Sequence, residues 1–556
     1  MKHNNHPSCV CPPSPELEEK ISKTKQLIKS GETLVPSNDI LSIQNYSAII
    51  GRPKKTRAHT FEKTPSKINS IGQLKALVIL VDFPDNQSSQ NKNHYSEMLF
   101  SSGTYPTGSM HDYFAECSYG KLNVTGDVFG WYRMPQNYTY YVDGQNGFGN
   151  YPNNVQKLVQ DAVFAANTDV NFSDYDLDGD GVVDALFIIH AGTGAEVTGN
   201  ANQIWSHRWS IPPVTLDGIK IVDYTMEPED GKIGVFSHEL THVFNVPDLY
   251  DTDNSSSGVG KWCLMAAGSW LSGGTVPSHP CAWVKQKLGW VNPINPQADA
   301  IGATLSDVES NEKIMKLWTG GTNNDEYFLL EYRKKKGFDT NLPSEGLLIY
   351  HIDDTKISNS DEGHYLVGVE QADGKQDLET KRNSGDTGDP FPGSQNNTSF
   401  DTTSNPNSNS YAGTDTKVSV TNISIAPDKV IFDFSVGVGM VSTIPQVVVD
   451  FLANRIKIKN VSTSDILVNY KMIGTIPDKF AQQQGIMNQV LTTIGYEDRY
   501  GRPESDSDFI DVLLEISHTP TKVNSARGIQ LGGDNIEVFV DNNSTGMIPK
   551  TKEIPL

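Results

Sequence analysis

Apolar positions recur along this chain with two different periods, and the two sort it into regions. "LKALVILVDF" (Leu74 to Phe83) and "DALFIIHAG" are short, nearly continuous apolar runs, the signature of strands buried on both faces. "NNVQKLVQDAVFAA" has helical spacing. So does "VFSHELTHVFNVPDLYD", where Val235, Phe236, Leu240, Val243 and Phe244 define an amphipathic helix. Upstream, "PELEEKISKTKQLIKSG" predicts a charged helix within an N-terminal extension, residues 1–68. Mixed strands and helices fill 69–297. After about 298, "EYFLLEYRKKK", "GLLIYHIDD" and "KVIFDFSVGV" alternate as strands and predict a β-rich domain over 298–439. "NNTSFDTTSNPNSNS" reads as a surface loop within it. From 440 to 556, "QVVVDFLANRIKIKNV" and "IEVFVDN" predict strands around a helix, "DKFAQQQGIMNQVLTTIG", in an accessory domain of unassigned role. No internal repeat is present. The expected fold class is α+β.

Charge narrows the partners. The 556 residues carry 67 acidic and 45 basic side chains, a net charge of -22. Such a balance argues against nucleic acid or an anionic membrane surface as partner. No apolar run reaches the length of a membrane span. "MKHNNHPSCVCPPSPELEEK" has no apolar core of a signal peptide, which leaves the compartment open between extracellular and cytoplasmic. Five scattered cysteines (Cys9, Cys11, Cys117, Cys263, Cys281) are not a disulfide framework.

Chemistry concentrates in two stretches. His238 and His242, one helical turn apart on one face, are spaced to grip one divalent ion, and Glu239 lies beside that ion as a general base. Six residues after His242 comes Asp248, the candidate third zinc ligand. Asn245 is expected to end the helix in the left-handed conformation, and Pro247 keeps it from resuming. Glu227 is the alternative third ligand. Met265, in "KWCLMAAGSW", suits a turn beneath the metal. The second stretch is "DYDLDGDGVVDALF". Asp176, Asp178, Asp180 and Asp184 have the spacing of a loop that points several oxygens at one calcium ion. Acidic loops at Asp251–Asn254 and Asp386–Asp389 are weaker calcium candidates. His190, His207, Arg208 and Tyr224 are candidates for stabilising an oxyanion.

Taken together, "LVILVDF", "DYDLDGDGVVD", "IIHAGTGAE", "IWSHRW", "DYTMEPEDG", "GVFSHELTHVFNVPDLYD" and "WCLMAAGSW" resemble the M6 peptidases, the immune inhibitor A-like metalloproteases. The resemblance covers about 75 to 275, and "GDTGDPFPG" and neighbouring stretches extend it more loosely. Residues beyond 440 match nothing in the family. It implies a metzincin-like zinc endopeptidase acting on protein or peptide substrates, usually secreted, with His238, His242 and Asp248 as ligands and Glu239 as base. Family members usually have glycine where this chain has Asn245. Thiolate chemistry adds the expectation of a zymogen, against the alternative of a disordered tail with two incidental cysteines. "SCVCPPSP" would then place Cys9 or Cys11 at the open zinc position, as in the cysteine switch of other metzincins, with activating cleavage at "RPKKTR" (52–57). The rival readings are a non-catalytic, calcium-stabilised binding or adhesion protein on the same scaffold, and a zinc hydrolase of a non-peptide bond.

Overall fold

A computed structural model describes residues 9–30 and 69–438, and beyond these the backbone of short strands between 446 and 554. The candidate cleavage site at 52–57 and the helix expected near 478–495 lie outside the described residues. Helices and sheets mix as expected of an α+β chain.

The central sheet has six strands: β1 (Cys9–Val10), β2 (Gly72–Asp82), β3 (Leu122–Arg133), β4 (Leu186–His190), β5 (His207–Leu216) and β6 (Ile219–Pro228), in the order β1-β5-β6-β4-β2-β3. Strands β3, β2, β4 and β6 run parallel. A hairpin turns β5 antiparallel to β6, and β1 pairs antiparallel with the outer side of β5. Ala76 to Val81 are completely buried, because the parallel strands are covered on both faces, which is why this stretch reads as one apolar run. Leu77, Ile79 and Val81 alternate onto the face that joins Leu158, Val159 and Ala162 of the Val155–Ala166 helix in one core. Asn154 caps that helix by accepting from the Lys157 amide at 3.2 Å.

The N-terminal segment is part of this core. Val10, Leu17 and Ile21, the last two on the Pro15–Ser30 helix, belong to the same apolar cluster. The described residues of 9–297 and 302–437 form one compact unit. Within it, Glu326–Arg333 pairs antiparallel with Gly346–Asp353, and Ser419–Ala426 pairs with Lys429–Ser435. The remaining unit, 298–301 with 438–556, contains a five-stranded antiparallel sheet running from Val468–Ile473 to Asn543–Pro549, and a three-stranded sheet built on Gln446–Asp450.

Candidate metal centre

The histidine helix runs Ile233–Val243, and every one of its residues is buried. This corrects the amphipathic expectation. The polar face of Ser237, His238, Glu239, Thr241 and His242 is turned toward other parts of the protein, not to solvent. The helix ends where the sequence indicated. Asn245 has φ 61°, and its amide donates to the His242 carbonyl at 2.9 Å. The chain then reverses, and Asp248 comes back to the two imidazoles.

Three acceptors converge there. Asp248 Oδ1 is 3.1 Å from His242 Nε2 and 3.3 Å from His238 Nε2, and the two Nε2 atoms are 3.1 Å apart. The opposite ring nitrogens fix the tautomers. His238 Nδ1 meets the Leu264 carbonyl at 3.0 Å, and His242 Nδ1 meets the Val246 carbonyl at 2.8 Å. A carbonyl only accepts, so each Nδ1 carries the proton and each Nε2 presents a lone pair. Burial holds His242 below its usual pKa, favouring the neutral ring. Asp248 stays a carboxylate despite its burial: any proton taken up by the group goes to an imidazole, whose charge then holds the Asp248 carboxyl below its ordinary range. Two neutral imidazoles and a carboxylate, buried and aimed at one point, are the donor set of a divalent transition metal. These residues fit zinc.

Glu239 follows His238 on the helix and is completely buried, and neither of its carboxylate oxygens has a hydrogen-bond partner. Burial, then the charges of Glu227 and Asp248, raise its pKa well above the usual range. Glu227, on β6, thus acts on the candidate base, and it is not in the group that forms around Asp248. Met265 is buried, accepts the Leu249 amide at 2.8 Å, and follows the residue whose carbonyl orients His238.

Among the oxyanion candidates, burial pushes His190 down to about 4 and His207 down to about 3, so both are neutral at pH 7. His207 is engaged by the Tyr224 hydroxyl at 3.2 Å, and Arg208 pairs with Asp223 at 3.0 Å.

The acidic loop splits its four aspartates. Oxygens of Asp176, Asp178 and Asp184 lie within 4.8 Å of one another, and Asp180 is not among them. Asp180 instead uses its carboxylate to accept the Val182 amide at 2.9 Å, while its own amide donates to Asp176 and Asp178. Of the weaker loops, Asp251 and Asp253 approach Glu362, a residue the sequence reading missed because it lies more than a hundred positions away. Asp386 accepts the Gly388 amide, and Asp389 accepts from the distant Trp262 Nε1 at 2.7 Å.

Residues 64–291 match the model of the immune inhibitor A peptidase M6 catalytic domain. This stretch belongs to the M6 peptidase family. Pre-pro-metalloprotease PrtV of Vibrio cholerae serotype O1 (strain M66-2) is 33% identical over 280 residues, 39% of this chain and 30% of the relative. Immune inhibitor A of Bacillus thuringiensis subsp. alesti is 33% identical over 259 residues, 37% of this chain and 38% of the relative. The aligned part therefore spans only 30% to 38% of these relatives' length. The M6 stretch contains the histidine helix, Asp248, Met265 and the Asp176–Asp184 loop.

Proposed function

We propose that the M6 domain is a zinc endopeptidase in which His238, His242 and Asp248 hold the metal and Glu239 is the general base. The observation that carries this reading is the meeting of three buried acceptors with no proton among them, beside an unpartnered buried carboxylate. When bound, zinc supplies Lewis-acid polarisation of the scissile carbonyl and lowers the pKa of water. The protein supplies the proton path. Glu239, ionised once a bound cation offsets its burial, would take a proton from the attacking water and pass it to the leaving amine. The left-handed Asn245 turn and Met265 behind the site support a metzincin-like arrangement. Calcium in the Asp176, Asp178 and Asp184 loop is a structural part of the same proposal, supported by convergence of their oxygens.

Substrates are protein or peptide chains, and the site of action is extracellular. The second point leans on the family and on the Vibrio relative being named a pre-pro-metalloprotease. Among the described residues no helix is long and apolar enough to cross a membrane. The test is casein cleavage by the purified full chain, before and after limited trypsin treatment. Chelation should abolish cleavage and added zinc should restore it. Cleavage that survives complete removal of the metal overturns the reading.

A further inference from the structure

Residues 9–14 form a strand and turn whose polar backbone groups are met one after another. Cys9 registers opposite Arg208 and Val10 opposite His207, antiparallel on the outer side of β5. The Cys11 amide donates to the Ser206 carbonyl at 2.9 Å, and the Ser14 amide donates to the Glu196 carbonyl at 2.8 Å. Three side chains donate to successive carbonyls: Tyr250 Oη to Val10 at 2.8 Å, Trp205 Nε1 to Cys11 at 2.7 Å, and Trp270 Nε1 to Pro12 at 2.9 Å. Tyr250 and Trp270 come from the two loops that frame the metal centre, one following Asp248 and the other following Met265. Residues 11–14 are buried, and Leu17 and Ile21 anchor the helix that follows.

This path brings one sulfur to the metal centre. Cys9 Sγ, a His242 ring nitrogen and an Asp248 carboxylate oxygen lie within 4.8 Å of one another. Cys11, two residues on, is not in that group. We propose that Cys9 is a sulfur ligand of the metal held by His238, His242 and Asp248, and that the 9–14 segment is thereby held along β5 as a built-in inhibitor. The proposal rests on the zinc-site reading above. It identifies which of the two cysteines acts and what holds the segment in place.

The chemistry balances simply. Were zinc bound there, Cys9 would bind it as a thiolate, its proton going to solvent and a water leaving the metal, with no oxidant or reductant involved. His238, His242, Asp248 and Cys9 would then offer two nitrogens, one oxygen and one sulfur, as many donors as a closed zinc site takes, leaving none for a catalytic water. A strand added to a sheet edge draws affinity from its backbone bonds, as an extended peptide would, so the same segment also occupies space beside β5.

The experiment uses the full chain loaded with cobalt(II) in place of zinc, because a thiolate bound to cobalt gives a near-ultraviolet charge-transfer band that nitrogen and oxygen ligands do not. Wild type, Cys9→Ser and Cys11→Ser are compared for cobalt uptake, for that band and for casein cleavage by the zinc forms. The expected result is one cobalt in all three, with the band lost only in Cys9→Ser. A tethered ligand acts at an effective concentration on the order of mM, so losing it should raise casein cleavage about tenfold or more. A band that persists in Cys9→Ser, or that disappears only in Cys11→Ser, overturns the proposal and leaves the zinc site standing. Loss of the band without a rise in cleavage overturns the inhibitory role. Failure of all three to take up cobalt removes the zinc-site reading and this proposal together.

Discussion

Two buried charged clusters lie close along this chain, and they solve the same problem in opposite ways. Around Arg333 the guanidinium donates to Asp339 at 2.6 and 2.7 Å, to Glu331 at 2.9 Å and to the Trp262 carbonyl at 3.1 Å. The cluster contains its own cation. Around His238 the converging Nε2 and carboxylate atoms are all acceptors, with Asp248 supplying negative charge and no lysine or arginine among their contacts. Burying charge is costly unless it is paired. The first cluster is complete from the sequence alone, while in the proposed reading the second is completed by a metal cation. On that reading the two clusters differ in where the counterion comes from.

Removing the base should produce the largest effect. Glu239→Ala leaves the three acceptors intact, so zinc content should stay at wild-type level while casein turnover falls by about 10²–10⁴-fold. Near-normal turnover with zinc bound would mean that the orphaned carboxylate is not the proton acceptor.

Arg333→Ala sharpens the other side of the comparison. It strands Asp339 and Glu331 in the interior, and the expected loss of stability is about 3–5 kcal/mol in denaturant unfolding. Added zinc should not restore it, whereas zinc should restore stability lost to a chelator. An Arg333 variant rescued by zinc would erase the distinction between the clusters.

A smaller effect is expected at the Asp176–Asp184 loop, where a third acidic cluster sits at the surface. Burial, then the neighbouring aspartates against one favourable amide bond, hold Asp184 up at about 6, above its ordinary 3.8. In metal-free protein the folded state therefore binds this proton more tightly than the unfolded chain. Its stabilising contribution is present at low pH and is lost as pH rises through about 6. Calcium needs the ionised form, so it should stabilise above pH 6 and do little near pH 4. At a hundred times its dissociation constant the gain is about 2.7 kcal/mol. Melting curves of zinc-loaded wild type and Asp184→Asn, with and without calcium, measure this; an equal calcium response in both would remove Asp184 from the loop's function.

The local features of this site were legible because they depend on short-range geometry. Helical spacing puts His238 and His242 together, and Asn245 before Pro247 marks the left-handed turn that returns Asp248. The buried strands β2 and β4 were legible for the same reason. What the sequence hid are pairings over long separations. Nothing local to "SCVCPPSP" indicates β5, Trp205, Tyr250 or Trp270, and nothing near Asp251 indicates Glu362. The choice between Cys9 and Cys11 needed those contacts, because either thiol is equally good chemistry. Spacing also could not show that one Asp180 carboxylate oxygen accepts the Val182 amide, apart from the three aspartates whose oxygens converge.

The central claim is that His238, His242 and Asp248 together form a metal site. Its most direct test is the zinc content of purified wild type, Glu239→Ala and Asp248→Ala after dialysis against a competing chelator of graded strength. The account predicts one zinc per chain in the first two, held equally tightly, and loss of zinc from Asp248→Ala at chelator strengths the others withstand. Zinc held as tightly by Asp248→Ala as by wild type would contradict it.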